Sequence, residues 1–277
     1  NINASAGLLG NDNPAYDPVS GYGNESSNRR TLTLAGRSIV VARTGYREAD
    51  VVDYHFQNLK GDAGLHFRPR KGLEINYTYR WAYLNNVYQR SNRFQLANYL
   101  LQQHALQLKG RAFQVRAYVT SESTGKSYNL RSMAENMERS FKGDNQWFTD
   151  FQTRFREVQS QGTLADALRQ ARTFADAGRP QPHTEAFQQT LARLQDINNW
   201  DVGAALRVKA NLYHAEGQWS LTDQWLTDWR KKTGMELLAG FDHRTYAIVP
   251  DGNYFINPVS DSKNLTYGKT GGFLQVT

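Results

Sequence analysis

The residues whose chemistry could build an active centre are dispersed along this chain. Six histidines, His55, His66, His104, His183, His214 and His243, show neither an HExxH pattern nor i, i+4 spacing, so the two-imidazole helix face of a zinc site is not encoded. Cysteine is absent, which removes disulfides and thiolate metal sites together. Gly21 and Gly23 lack the spacing and the following helix of a phosphate cradle and read as loop. Asp251 and Asn253 carry oxygens suited to calcium, yet they belong to a Pro250, Asp251, Gly252, Asn253 turn sequence, and the turn accounts for them. The expectation is a protein that is not an enzyme, with no catalytic residue, metal or cofactor.

Recognition is the chemistry left. Arg116, Asp242 and Arg244 offer charge to a polar ligand, and Trp147, Tyr254 and Phe255 offer aromatic surface. Asp242 and Glu236 are also natural partners for Arg244 or for an arginine on a neighbouring strand. Trp147, Phe148, Phe151 and Phe155 serve either as a ligand platform or as a small hydrophobic core, and the core is the reading adopted.

Strands must position these groups. Residues 73–84 read LEINYTYRWAYL: Leu73, Ile75, Tyr77, Tyr79, Trp81 and Tyr83 are apolar or aromatic, while Glu74, Asn76, Thr78 and Arg80 between them are polar. Period-2 alternation belongs to β structure. A strand of this length matches the ~9–11 residues of a tilted transmembrane strand better than the ~5–6 of soluble sheets. The odd set is expected to face lipid and the even set a polar lumen.

Composition is compatible with that assignment. The chain has 277 residues, 39% of them hydrophobic, yet carries 15 Tyr, 13 Phe and 6 Trp, and its mean hydropathy is -0.68. A barrel strand needs apolar residues only at alternate positions and places aromatic girdles at both interfaces. No run of 18 apolar residues exists, which excludes a spanning helix and leaves a closed barrel as the way across lipid. The net charge of +7 is spread out, with Arg230, Lys231 and Lys232 the densest run, so a nucleic-acid partner is not expected.

The dyad recurs along the chain. Ala63, Leu65 and Phe67 alternate with polar residues and turn at 69–72 into the strand above. Residues 85–99 read as a long polar and aromatic loop. The strand at 100–108 turns at Lys109 and Gly110 into a strand with Phe113, Val115, Ala117 and Val119 on one side. Residues 121–201 read as a helical insertion: Thr163 and Asp166 resemble a capping box, Gly178 and Pro180 supply a stop, and a second helix starts at Thr184 with Phe187, Leu191 and Leu194 at helical spacing. Strand texture resumes over 203–219, turn-like residues fill 221–234, and Met235, Leu237, Ala239 and Phe241 alternate before a long polar loop over 251–269. Residues 31–44 read as a hairpin turning at Ala35, Gly36 and Arg37. Alternating short turns and long loops put the 121–201 and 251–269 segments on one side.

Several segments resemble a known family. The run SESTGKSYNLRSMAENMERSFK at 121–142, with YQRSNRF at 88–94, YLLQQH at 99–104 and VPDGNYFINP at 249–258, is similar to TonB-dependent outer-membrane receptors of the carboxypeptidase-regulatory-like subgroup. That resemblance implies a barrel of roughly 22 strands with a plug, located in the outer membrane of a Gram-negative bacterium. It also implies uptake of a scarce ligand, whether glycan, peptide or chelate, driven by the inner-membrane TonB complex. This sequence shows no plug, TonB box or signal peptide, so coupling to TonB would run through parts absent from it.

The fold expected is an antiparallel transmembrane β-barrel segment over 1–277, six to eight strands of a larger barrel, with a helical extracellular insertion at 121–201 that contacts ligand or docks a surface lipoprotein. A soluble or surface-anchored β-rich binding module and a passive porin-like channel remain as alternatives.

Overall fold

A computed structural model describes residues 3–15, 29–89, 93–251, 255–259 and 263–277. The protein is mainly β and antiparallel, and it divides into two compact units.

The first unit comprises Asn1–His55, Asn86–Gln95 and Lys126–Leu206, so it is larger than the insertion expected at 121–201. It contains a hairpin of β1 (Arg29–Leu34) and β2 (Arg37–Ala42), a short helix α1 (Glu48–Val51), and the helices α2 (Leu130–Phe141), α3 (Asp144–Val158), α4 (Leu164–Ala175) and α5 (Glu185–Asp196). The hairpin turns at Ala35 and Gly36, with φ of 48° and 73°, the pair of positive angles a two-residue turn needs. It forms its own two-stranded sheet, separate from the main one. Leu32, Leu34, Ile39 and Val41 point inward and pack with Trp147, Phe151, Phe155, Leu168 and Ala171 in one core. A second core joins Tyr46, Val51, Tyr128, Leu130, Met133, Met137, Phe187 and Leu194.

The helix ends follow the sequence signals. Thr163 and Asp166 form the capping box of α4, and Thr184 caps α5 by accepting the Phe187 N–H at 3.3 Å. Gly178, at φ 85°, follows α4 before Pro180.

The second unit comprises Phe56–Asn85, Leu96–Gly125 and Arg207–Thr277. Its elements belong to β3 (Gln57–Arg70), β4 (Leu73–Gln89), β5 (Arg93–Lys109), β6 (Phe113–Ser123), β8 (Lys209–Ser220), helices α6 (Leu221–Gln224) and α7 (Thr227–Thr233), β9 (Leu237–Val249) and β10 (Leu265–Val276), while the two-residue β7 (Tyr128–Asn129) falls in the first unit. The main sheet runs β10-β9-β8-β6-β5-β4-β3, an open path without closure, and β7 pairs with Phe94 and Gln95 of β5 inside the first unit. Each described register is antiparallel.

Strand limits differ from expectation in several places, among them β8, which starts at Lys209 and not at 203, and β10, which starts at Leu265 inside the loop expected over 251–269. The β3–β4 turn tightens to Lys71 and Gly72, the glycine at φ 80°, with Pro69 and Arg70 still in the strand. The expected loop over 85–99 is instead strand on both sides, since β4 reaches Gln89 and β5 starts at Arg93. Val87 packs into the second core of the first unit, and Gln95 accepts the Asp53 N–H at 3.1 Å. Burial of this polar stretch against its own unit supplies partners that sequence polarity does not reveal.

Registers fix two faces. One face carries Leu65 and Phe67 of β3, Ile75, Tyr77, Tyr79 and Trp81 of β4, His104 and Leu106 of β5, Val115, Ala117 and Val119 of β6, Tyr213 and Trp219 of β8, and Phe241 and His243 of β9. The opposite face carries His66, Asn76, Arg80, Gln103, Gln107, Gln114, Arg116, His214, Glu216, Asp242 and Arg244. Within this unit no second sheet packs on the apolar face among the described residues, and Leu65 and Phe67 are 72% and 62% exposed. Rings cover two of the glycines on that face, Gly61 and Gly217. A Cβ at Gly61 would lie 2.7 Å from Trp81 Nε1, and the stacked rings of Trp219 and Phe241, 5.7 Å apart, lie against Gly217.

Connections keep the expected sidedness. Lys209 pairs with both Ser123 and Val249, so the chain leaves for the helices at the same sheet end as the 250–264 connection. The turns at 71–72 and 110–112 lie at the other end, and there the expected turn over 221–234 is instead α6 and α7. Ser220 caps α6 by accepting the Asp223 N–H at 3.2 Å, and Gly234 at φ 71° ends α7. These helices are four and seven residues long, too short for a periodicity to show in the sequence.

Candidate functional site

Two neighbouring rungs on the polar face of the second unit bring charge together. Arg116, Glu216 and Asp242 face one another across β6, β8 and β9, and Tyr118, His214 and Arg244 form the next rung. The alternation in each strand sends these side chains to one side, and the register aligns them. Arg116 reaches Glu216 at 3.8 Å and lies 5.1 Å from the Tyr118 ring. Arg244 Nε donates to Asp242 Oδ2 at 3.2 Å. Asp242 has the space for this because its partner on β10 is Gly271, where a Cβ would sit 2.5 Å from the carboxylate.

His214 is the buried member, 6% exposed, with its ring edge-on to Tyr118 at 4.7 Å. Its Nε2 lies 3.8 Å from Asp242 Oδ2, beyond hydrogen-bond distance, and neither ring nitrogen has a hydrogen-bond partner. A depression of about 230 Å³ opens beside the rungs, lined on this face by Gln114, Arg116, Glu216, Gln218, Asp242 and Phe273. Each arginine already has a carboxylate, so the surface is polar but charge-balanced. It suits a hydroxyl- or amide-rich ligand better than a bare ion.

Of the residues singled out from the sequence, Arg116, Asp242 and Arg244 do come together here. Trp147 does not join them. It is fully buried, stacked on Phe151 at 5.4 Å, and its Nε1 donates to Asp176 at 2.8 Å, so it is a core residue and not a ligand platform. Phe255 is half-buried and trades backbone contacts with Asp251, accepting at its carbonyl from the Asp251 N–H at 3.1 Å and donating its own N–H to the Asp251 carboxylate at 2.9 Å. Tyr254 and Asn253 lie outside the described residues. Glu236 pairs with Arg230, not with Arg244.

Glu216, His214 and Tyr118 were missed as site residues. Period-2 patterning places each on the polar face, but only the β6–β8–β9 register puts them beside Arg116 and Asp242. Among the described residues no group of three or more His, Asp and Glu is arranged to hold a metal ion. No family model, curated protein or solved structure matches the chain.

Proposed function

We propose that the main sheet is a stretch of transmembrane β-barrel wall in the outer membrane of a Gram-negative bacterium, and that its protein is a TonB-dependent receptor that takes up a scarce ligand. The observation that supports the wall is a single layer of seven antiparallel strands in which one face is mostly apolar from β3 to β9, interrupted by His104 and His243, and the other is mostly polar. Rings recur along the whole of the apolar face, with Tyr77 between the two groups that follow. Phe67, Phe113, Trp219 and Phe241 lie near the short turns, and Tyr79, Trp81 and Tyr213 lie further along. A soluble binding module would need that face covered.

The receptor role rests on the family-like segments, and the ligand class stays glycan, peptide or chelate. Ligand contact falls to the rungs around Arg116 and Asp242 on the polar face. Polarised infrared spectroscopy on oriented bilayers tests the wall: strands tilted about 35–45° from the normal are expected, and strands lying flat on the bilayer sink it. For the receptor, Arg116→Ala in the full-length protein should lower uptake of the ligand by whole cells. Unchanged uptake at normal surface display would remove the rungs from the ligand path.

A further inference from the structure

Residues 221–236, which join β8 to β9 at the short-turn end of the sheet, leave large apolar side chains in solvent. Trp225 is 68% exposed, Met235 46% and Leu226 40%. Soluble surfaces rarely spend three such residues in so short a connection, and a two-residue turn would have joined these antiparallel strands. The segment is held in place nonetheless. Thr222 is fully buried and its hydroxyl accepts the Leu237 N–H at 3.4 Å, while Arg230 bridges Asp223 and Glu236. Order with exposed apolar groups points to a partner not present in the structure.

Two observations identify that partner's chemistry. The exposed apolar set lies at the same end of the sheet as Leu274 and Val276 of β10, which are 65% and 59% exposed on the apolar face. The connection also carries exposed Lys231 and Lys232 in the last turn of α7, Lys231 lying 3.6 Å from the exposed Asp228. An amphipathic ring beside lysines that reach outward is the composition of a segment lying at the headgroup level of a bilayer. We infer that residues 221–236 are an interfacial anchor, with Trp225 and Leu226 at the headgroup–acyl boundary of the phospholipid leaflet at the short-turn end and Lys231 and Lys232 towards the phosphates. This rests on the wall assignment above.

Because the chain has no cysteine, single-cysteine variants give unambiguous labels. Trp225→Cys, Leu226→Cys, Tyr77→Cys and Asn76→Cys each carry an environment-sensitive fluorophore, with the protein reconstituted into phosphatidylethanolamine–phosphatidylglycerol vesicles containing shallow or deep spin-labelled lipid. Labels at 225 and 226 should be quenched more by the shallow lipid, the label at 77 more by the deep lipid, and the label at 76 by neither. Quenching at 77 without quenching at 225 or 226 overturns the anchor and leaves the wall intact. No quenching at 77 overturns the wall and the anchor with it. Labels at 225 and 226 that are shielded from aqueous iodide but not quenched by either lipid overturn the anchor in favour of a protein contact.

Discussion

Arg43 and Glu138 form an ion pair in which both side chains are 1% exposed, the guanidinium Nε lying 3.5 Å from the carboxylate. Arg43 also donates to Asp144 at 2.7 Å, to the Lys142 carbonyl at 2.9 Å and to the Glu138 carbonyl at 3.0 Å. One side chain from β2's C-terminal flank therefore ties the hairpin to α2 and the start of α3. Arg43→Met should destabilise the first unit by about 3–5 kcal/mol, since it strands a buried acid and two carbonyls. Denaturant unfolding of the whole chain, followed by near-ultraviolet circular dichroism, measures this. A loss below about 1 kcal/mol would show that the pair is not a structural tie.

The same pair sets a pH dependence. Burial pushes the Glu138 carboxyl well above its ordinary value of 4.5, and Arg43 and Arg179 offset only part of that. A carboxyl that holds its proton more tightly folded than unfolded supports the fold fully below its unfolded value and loses that support as pH rises through its raised native value. Glu138→Gln keeps the shape without titrating. The stability of the native protein relative to this variant should therefore fall from about pH 4.5 upward. A relative stability that rises over that range contradicts the assignment.

On the apolar sheet face, Tyr77→Arg should cost about 2–4 kcal/mol in a bilayer if position 77 sits near the midplane. Asn76→Arg on the polar face should be milder, although Asn76 is 9% exposed and bonds Glu74 at 2.7 Å. Refolding into vesicles with reversible denaturant titration compares the two. Equal cost at both positions would remove the lipid assignment.

Thr184→Ala should destabilise α5 by about 1 kcal/mol, and Thr184→Asp should restore most of it, because the cap's side-chain oxygen accepts the Phe187 N–H. Phe187 is fully buried and edge-on to Tyr46 at 5.4 Å, so fraying at Thr184 loosens the second core. Hydrogen exchange of the Phe187 amide reports it, and unchanged protection in the alanine variant would count against the cap.

Local patterns alone determined the two faces of the strands, the turn at Ala35 and Gly36, and the caps at Thr163 and Thr184. Each depends on residues within one or two turns or along one strand, so the sequence carries it directly. Tertiary structure decided the rest. Only the cross-strand register aligns Arg116 with Glu216 and Asp242 and puts His214 beside them, because pairing joins positions about a hundred residues apart that no local period links. Burial turned residues 85–89 and 93–99 from loop into strand and drew the 29–42 hairpin into the helical core, since contacts with Val87, Leu32 and Ile39 outweigh local polarity and length. The same burial took Trp147 out of reach of any ligand, a distinction between core and platform that aromatic spacing does not make.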